Sequence, residues 1–402
     1  MKFLFIDGEK ICVYKDDKVR VYESGYIEKY RAQALASAKN NEWKKKSRTE
    51  MLMTEDFFFE SDESFYAYVH SVAPCENENE ILYAFTANDS SGIYLKYLDD
   101  EKKTEAHVVS SNEVEFSTIY NSSFGLLATV KKGSVTADIA IFSKDKTDYK
   151  CLTGGDSLDE NPSFTRDGNI LFNSYGVGRD ENNEFVGYGA SEIYLFDFKS
   201  MEVKELITHE EYSYVKPVEA DEGFFCIKKP AVEKEKRNVL LEILLIPVRI
   251  VQGIVGFVSF FVKTFSGKPL VNESKRGGSM AKNFKKDEGR LFVLNNYIKV
   301  DKEMKKNSRE KDYGFIPRGW KLVQCKMDED YQGWMERELV HGVADYCVLE
   351  DGNVVYTNGR HIFLLDFKKK ERIKLVDVDC CLKVAPMYEF KQENADNFFD
   401  NI

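Results

Sequence analysis

Only a few strings in this 402-residue chain combine residue types and spacings that could do chemistry. Gly155-Asp156-Ser157-Leu158 matches a motif in which some ester hydrolases carry a nucleophilic serine. Such a serine needs a downstream Asp-x-x-His pair, and no aspartate stands three positions before any histidine here. The sequence also lacks a G-x-S-x-G, a P-loop and a dinucleotide-binding glycine motif. We therefore expect no catalytic residue of these classes and favour a non-enzymatic role.

Metal-binding patterns are missing from the sequence as well. The five histidines are scattered, without a second histidine or a cysteine at the spacing of a metal site. The acidic runs at 99–101 and 156–160 fall in turns and lack the ladder of ligands found in a calcium-binding loop. We expect no metal and no cofactor.

The composition narrows the class of protein further. A net charge of −11 argues against nucleic acid as a partner, because phosphate binding needs a basic field. The eight cysteines form no C-x-x-C pair, and most lie in apolar stretches, which is typical of reduced core thiols. The first residues have no apolar segment of the length of a secretion signal, so we expect a cytoplasmic protein.

A repeat in the sequence predicts the strands on which a functional site would lie. Arg166–Phe172 and Glu350–Tyr356 both read as an Asp-Gly hairpin turn followed by a buried strand. Each is followed by a third strand, at 192–199 and 361–368, and then by a fourth. Weaker copies bring the count to about six repeats of about 40 to 45 residues, one of which is interrupted and is expected to include Arg290–Leu294.

The two ends of the chain share one repeat. Asn353–Leu365 aligns with Lys2–Tyr14, so the protein begins one strand into a repeat and the missing strand must come from the C-terminus. Cys380–Ala385 suits that strand. A chain that closes on itself in this way predicts an all-β, six-bladed β-propeller over residues 1–402, with strand closure between the termini.

The string Asn161–Ser174, followed by Glu192–Asp197, resembles the repeat of TolB-like six-bladed propellers. The resemblance implies the propeller fold and a role in binding proteins. The best-known members are exported and carry a separate N-terminal domain. This sequence predicts neither feature, so we do not expect the partners of those members to be the partners of this protein.

The departures from the repeat predict one decorated face with helical insertions. Connections after the second and fourth strands of a blade emerge on the same face, and residues 24–47, 175–191 and 230–289 occupy such connections. Ile27, Tyr30, Ala34, Leu35 and Ala38 recur at helical spacing in the first. A further helix is predicted at Glu329–Leu339, and only residues 301–317 are expected on the opposite face.

Residues 239–265 are apolar over a length that could cross a bilayer as a helix. Because both flanks are predicted strands of one blade, a single crossing would separate the halves of a sheet. The few polar residues form one narrow stripe, and the tail at 268–286 is glycine-rich and basic. This pattern predicts an interfacial helix on an anionic membrane. Burial against the propeller or in a dimer is the alternative.

The leading hypothesis is a propeller scaffold for an unidentified protein partner, attached peripherally to the inner face of a membrane. The predicted membrane- or partner-binding residues are apolar anchors and headgroup contacts: Leu241, Leu245, Ile250, Ile254, Phe257, Phe261, Lys263, Lys275, Arg276, Lys285 and Lys286. Two alternatives stay open. One is a soluble binding module in which 239–265 forms a homo-oligomer or partner interface, and the other is a loop-built hydrolase or lyase.

Overall fold

The computed structural model describes residues 1–30, 67–87, 90–99, 105–133, 135–231, 290–327 and 333–390, together with positions 32, 33 and 36. They belong to one compact unit, Met1–Ala231 with Ala281–Ile402, whereas a second unit, Val232–Met280, lies outside the described residues. Nearly all regular structure in the described ranges is β-strand, which confirms the predicted all-β class.

Most strands pair antiparallel with the next strand along the chain. The first three are β1 (Lys2–Asp7), β2 (Lys10–Lys15) and β3 (Lys18–Tyr22). Sheet 2 comprises β4 (Ala67–Pro74), β5 (Glu80–Ala87), β6 (Ser90–Tyr97) and β7 (Glu105–Ser111). Sheet 3 comprises β8 (Val114–Ser122), β9 (Gly125–Lys132), β10 (Thr136–Phe142) and β11 (Tyr149–Cys151). Sheet 4 comprises β12 (Ser157–Phe164), β13 (Ile170–Arg179), β14 (Phe185–Asp197) and β15 (Glu202–Ile207).

The second half of the chain contains an interrupted sheet and the closing strand. The next elements are β16 (Tyr212–Glu219), β17 (Phe224–Pro230), β18 (Arg290–Val293), β19 (Asn296–Lys299), α1 (Val300–Asn307), β20 (Lys321–Met327) and β21 (Trp334–His341). Sheet 5 has the order β16-β17-β20-β21. Sheet 6 comprises β22 (Asp345–Val348), β23 (Val354–Thr357), β24 (Gly359–Asp366) and the first part of β25 (Glu371–Pro386).

Strand β25 joins the two ends of the chain. It pairs with β24 from Asp366↔Glu371 to Gly359↔Cys381, and its last residues pair with β1, from Asp7↔Cys381 to Phe3↔Pro386. The sequence predicted that Cys380–Ala385 supplies the strand missing at the N-terminus, and the structure places it there. Sheet 1 is therefore the end of β25 followed by β1, β2 and β3. Within the described ranges, sheets 6 and 1 are continuous through β25 as a seven-stranded sheet, and a single parallel bridge between β10 and β12 joins sheets 3 and 4 into an eight-stranded sheet. Sheets 2 and 5 are separate four-stranded sheets, and β18–β19 is a separate hairpin. Sheets 1 to 6 are therefore names for sections of four strands.

The apolar core is divided into clusters, most of which lie between two consecutive sheets, whereas the largest spans sheets 3 to 6 and the β18–β19 hairpin. For example, Phe116 and Leu126 of sheet 3 pack with Leu82 and Ile93 of sheet 2. The same kind of cluster lies between sheets 6 and 1, where Val355 and Ile362 join Phe3 and Phe5. Second and third strands such as β9 are buried on both sides and so carry continuous apolar runs, whereas fourth strands such as β3 and β15 are largely exposed.

The interrupted sheet differs from its prediction in two ways. Arg290–Leu294 was expected as a strand of this sheet, but Arg290–Val293 instead pairs with β19 in the separate hairpin, because β20 already pairs with β17. Residues 301–317 were expected on the opposite face. They follow the second strand of sheet 5, in the same connection as 231–289, so that expectation is wrong. The 312–316 segment packs on sheet 6, where Gly359, at φ +95°, makes room for the ring of Phe315.

The helix predicted at Glu329–Leu339 is also wrong over its described part. Trp334–His341 is β21, the fourth strand of sheet 5, and pairs with β20 from Met327↔Trp334 to Lys321↔His341. Its Met-Glu-Arg-Glu-Leu sequence has high intrinsic helix propensity. Pairing with β20 overrides this preference, and the charged side chains stay exposed because the strand is the outermost of its sheet.

Two other insertions take different forms in the structure. Residues 175–191 are not a loop, because β13 and β14 extend as a two-stranded ribbon with its turn at 180–184. In the 24–47 insertion, residues 25–30 are helical, and Ile27 is buried against sheets 1 and 2, with Tyr30 packed beside it. Most of the remaining prediction, up to residue 47, lies outside the described residues.

Candidate functional site

A cavity of about 280 Å³ lies where the first strands of all six sheets meet. We call it the axial cavity. Each first strand contributes to its wall: Ser71 and Val72 from β4, Thr118–Tyr120 and Ser122 from β8, Asn161–Phe164 from β12, Lys216–Glu219 from β16, Asp345–Val348 from β22 and Lys383–Pro386 from β25. The volume is near the lower limit of small-molecule sites in proteins.

Bulges in the first strands direct polar groups into this region. The register of β12 against β13 shifts between Glu160 and Ser163, and that of β16 against β17 shifts between Val215 and Val218. Asn161 and Lys216 occupy equivalent bulge positions, both with positive φ (53° and 55°) and both followed by proline. A β-bulge bends its strand and re-aims a side chain, and both residues line the cavity.

The main charged contact in the wall joins Lys216 and Asp345. The Lys216 amine lies 2.5 Å from Oδ1 of Asp345, whose side chain is almost fully buried. The other carboxylate oxygen of Asp345 accepts a hydrogen bond of 2.8 Å from the backbone N–H of Val384. Tyr346 places its hydroxyl 2.6 Å from the carbonyl oxygen of Lys216 and donates there or to Phe225. This network ties sheets 5, 6 and 1 together at the cavity.

Lys383 is the second lysine of the wall and has a different environment. Burial lowers the pKa of its amine, and nearby charges, Asp345 raising it and Lys216 lowering it, act in addition. The side chain is deeply set but still partly accessible from the cavity. Among the described residues, the structure gives its amine no hydrogen bond and no ion pair. Lys383 is therefore a cation held in a poorly hydrated place without a direct counter-charge.

His70 lies at the bulge of β4, next to Ser71 of the wall. Its Nε2 is 2.7 Å from the Thr86 hydroxyl and 3.6 Å from a Glu115 carboxylate oxygen. Burial lowers the pKa of His70 to about 4, and the opposing effect of Glu115 does not restore it. The imidazole is consequently neutral at pH 7, and the contact with Glu115 is a polar contact rather than an ion pair.

One end of the axial cavity is aromatic. Phe124 and Phe164 have ring centroids 5.5 Å apart, and Tyr120 lies 6.4 Å from Phe164. Tyr388 and Phe390, which follow β25, complete this end. At the other side, the turn of the β18–β19 hairpin approaches the first strands, where Asn295 donates a hydrogen bond of 3.0 Å to Glu160. The arrangement combines cationic and hydroxyl groups with an apolar end.

The structure does not place the residues predicted to bind a membrane or partner. All eleven, from Leu241 to Lys286, lie outside the described residues, as does the apolar stretch 239–265 itself. In the described part of the chain, no helix is long and apolar enough to cross a bilayer. In that part, too, no cluster of three metal-ligating side chains occurs, and the serine of the Gly155–Leu158 string simply begins β12.

The residues that line the axial cavity were not predicted from the sequence as site residues. Lys383 lies inside Cys380–Ala385, a segment assigned to a strand without any further role. Two signals were present: a lysine within an apolar strand, and the recurrence of a polar residue before proline at Asn161-Pro162 and Lys216-Pro217. Neither signal shows by itself that the side chains meet.

Similarity to known proteins is found among solved structures. No protein-family model matches the chain, and a search of curated proteins finds no match. Among solved structures, TolB from Acinetobacter baumannii is 12% identical with a TM-score of 0.46, over 96% of this chain and 66% of TolB. The tricorn protease is 12% identical with a TM-score of 0.42, over 79% of this chain and 27% of that protein. Oligogalacturonate lyase from Vibrio parahaemolyticus is 9% identical with a TM-score of 0.37, over 78% and 79%.

These matches concern the fold alone. Two TolB structures are among them, as the resemblance of the sequence to TolB-like propellers predicted. This chain spans about a quarter of the tricorn protease chain and two thirds of TolB, and the identities are too low for any activity to follow.

Proposed function

We propose that the six sheets are the blades of a closed propeller ring, and that the protein is a non-catalytic scaffold held at an anionic membrane surface. Two features support the ring. Apolar clusters lie between one sheet and the next, including the last and the first, as the cluster of Val355 with Phe3 and Phe5 illustrates. In addition, the first strands of all six sheets line one cavity, as expected around the axis of a propeller.

The observation that carries the scaffold role is the position of the departures from the repeat. The 24–66 segment follows a fourth strand, whereas the β13–β14 ribbon and the 231–320 connection each follow a second strand. In a four-stranded blade these connections share one face. Loops on a rigid scaffold commonly carry binding functions. The ribbon is held next to its turn by a bidentate contact of Arg179 with Asp156, and it exposes Phe185 and Val186 at the same end.

The membrane attachment rests on the sequence of 239–265 and on the pairing of its flanks. Strands β17 and β20 are antiparallel neighbours from Phe224↔Cys325 to Lys228↔Lys321, so the connection leaves and re-enters one sheet. A segment with both ends in one sheet cannot cross a bilayer once, because the paired strands would be pulled apart. Its apolar composition and the basic residues after it support attachment at the interface of an anionic membrane.

Vesicle flotation tests the attachment. The intact protein is compared with a variant in which 239–265 is replaced by a short Gly-Ser linker, on vesicles with and without anionic lipid. A matched control replaces Lys275, Arg276, Lys285 and Lys286 by glutamine and keeps the apolar segment. We expect the intact protein to float with anionic vesicles, the linker variant to stay at the bottom, and the glutamine variant to float weakly.

Size-exclusion chromatography with light scattering, run on the same proteins, distinguishes membrane attachment from the alternative that 239–265 is a subunit interface. If no protein floats and only the linker variant loses a defined oligomer, then 239–265 is a subunit interface and the membrane proposal is wrong. If flotation does not depend on 239–265, the attachment is also wrong.

Site-specific photo-crosslinking in cells tests the partner surface. A crosslinker at Val186, on the exposed ribbon, is compared with one at Val21, which is similarly exposed on the outer strand β3. We expect a discrete protein adduct from position 186 and none from position 21. Equal labelling at the two positions would contradict a partner surface on the decorated face.

A further inference from the structure

We propose that the axial cavity binds a small monocarboxylate with an apolar body, whose carboxylate is held by Lys383. This inference does not depend on partner binding or membrane attachment. It rests on the charges of the cavity wall, on the satisfied state of the groups around Lys383, and on the aromatic end of the cavity.

The cavity wall carries one more basic than acidic side chain. Its charged residues are Arg166, Lys216, Lys383, Glu219 and Asp345, three basic against two acidic, in a protein of net charge −11. Arg166 is engaged at the edge of the cavity, where it contacts Asp221 at 2.6 Å and lies 3.8 Å from Glu219. The excess positive charge is thus concentrated at the lysines.

Of these lysines, Lys216 is already neutralised by Asp345. Both oxygens of that carboxylate are occupied, one by the Lys216 amine at 2.5 Å and the other by the Val384 N–H at 2.8 Å. Asp345 therefore acts on Lys383 only by electrostatic attraction over a distance, without a direct contact. The other carboxylate near Lys383 is Glu160, which accepts a hydrogen bond from Asn295 and forms no ion pair with Lys383 in the described part of the chain.

An ammonium group buried without a direct partner is costly, and a bound carboxylate would offset that cost. Charge-assisted hydrogen bonds in a poorly hydrated site are stronger than neutral ones. One carboxylate supplies one negative charge, which equals the excess of the wall. A doubly charged ligand would leave a net negative charge next to Asp345 and Glu160.

The shape and lining of the cavity indicate the rest of the ligand. Hydroxyl groups of Ser71, Thr118 and Ser122 lie in the same wall as the lysines. The aromatic end of the cavity is formed by the rings of Tyr120, Phe124, Phe164, Tyr388 and Phe390. These rings favour an aromatic or aliphatic body over a sugar or a polyol, because they offer apolar surface rather than hydrogen-bonding groups.

Isothermal titration calorimetry on the full chain tests the proposal with 3-phenylpropionate as the probe. Its neutral analogue 3-phenylpropionamide has nearly the same shape, and inorganic phosphate serves as a small anion without an apolar body. We expect 3-phenylpropionate to bind at least about tenfold more tightly than the amide or phosphate. Equal affinities for the acid and the amide, tighter binding of phosphate, or no binding of the acid at millimolar concentration would each overturn the proposal.

Two variants assign the contact to Lys383. Lys383→Met removes the charge and should abolish the preference for the acid over the amide. Lys369→Met, which removes an exposed lysine from outside the cavity wall, should leave the preference unchanged. If Lys383→Met retains the full preference, the assignment is wrong.

Lysine-selective NMR of the wild-type protein measures binding at the unaltered cavity, and a variant is needed only to identify the Lys383 signal. The Lys383 signal is identified by its loss in Lys383→Met or, if that variant does not fold, in Lys383→Gln. Addition of 3-phenylpropionate should shift this signal and leave most other lysine signals in place. A ligand-induced shift confined to other lysines would also overturn the proposal.

Discussion

The clusters between the sheets and the axial cavity are two kinds of interior built from the same strands. The clusters are apolar, and many of their side chains come from second and third strands such as β5 and β9. The cavity wall is made from the first strands, whose bulges introduce charged and hydroxyl groups. The clusters therefore account for the stability of the fold, whereas the cavity holds polar groups that cost stability.

Shortening a side chain in a cluster should have the largest effect. Phe116 is fully buried between sheets 2 and 3 and packs against the rings of Phe142 and Tyr149. Phe116→Ala should lower the free energy of unfolding by about 4 kcal/mol, since it removes buried apolar surface and leaves a cavity. Chemical denaturation measures the loss, with Val203→Ala on the exposed strand β15 as the control. A loss of less than about 1 kcal/mol would contradict the claim that the clusters account for the stability of the fold.

Removing the carboxylate of the cavity wall should cost almost as much. Asp345→Ala leaves Lys216 buried without its partner and the Val384 N–H without its acceptor. The free energy of unfolding should fall by about 3 to 4 kcal/mol. Asp345→Leu combined with Lys216→Met removes both charges and should recover much of this loss. If the double variant is no more stable than Asp345→Ala, the damage is due to lost packing rather than an unpaired charge.

Acid should destabilise the wall through His70. Its folded-state pKa of about 4 is below the ordinary value of 6.5, so the unfolded chain binds more protons between these pH values. Stability is therefore lost as the pH falls from 6.5 to 4, by about 3 kcal/mol from this residue. Denaturation curves of the wild type and His70→Gln across this range measure the difference, and parallel pH dependences of the two proteins would contradict the prediction.

Lys383→Met should have the smallest effect and the opposite sign. Because the folded-state pKa of Lys383 is lowered, its charge opposes folding at neutral pH, and this cost disappears as the pH rises towards 10.5. Without ligand, the variant should be more stable than the wild type by about 1 kcal/mol at pH 7, with the gap narrowing at higher pH. A destabilised variant would mean that the amine is well satisfied in the unliganded protein.

Much of the fold could be predicted from local patterns. The Asp-Gly turns at 167–168 and 351–352 and the strands after them are local features, so the sequence analysis placed sheets 4 and 6 correctly. The joining of the termini followed from a shift in the repeat, and the pairing of β1 with β25 agrees with it.

The failures occurred where the partner of a segment decides its structure. Trp334–His341 has helical propensity but pairs with β20 as a strand. Arg290–Val293 has the pattern of a strand, but its partner is β19 rather than β17. In both cases the outcome depends on which neighbour is available in space, and no window of sequence contains that information.

The all-β class and the repeat pattern follow from the sequence alone, because turn residues and apolar runs act over a few positions. The tertiary structure alone decided that Lys216, Asp345 and Lys383 meet, although up to 167 positions separate them. Their proximity arises because each lies on the first strand of its sheet, and first strands converge on one cavity. The charge of that cavity is consequently a property of the assembled fold.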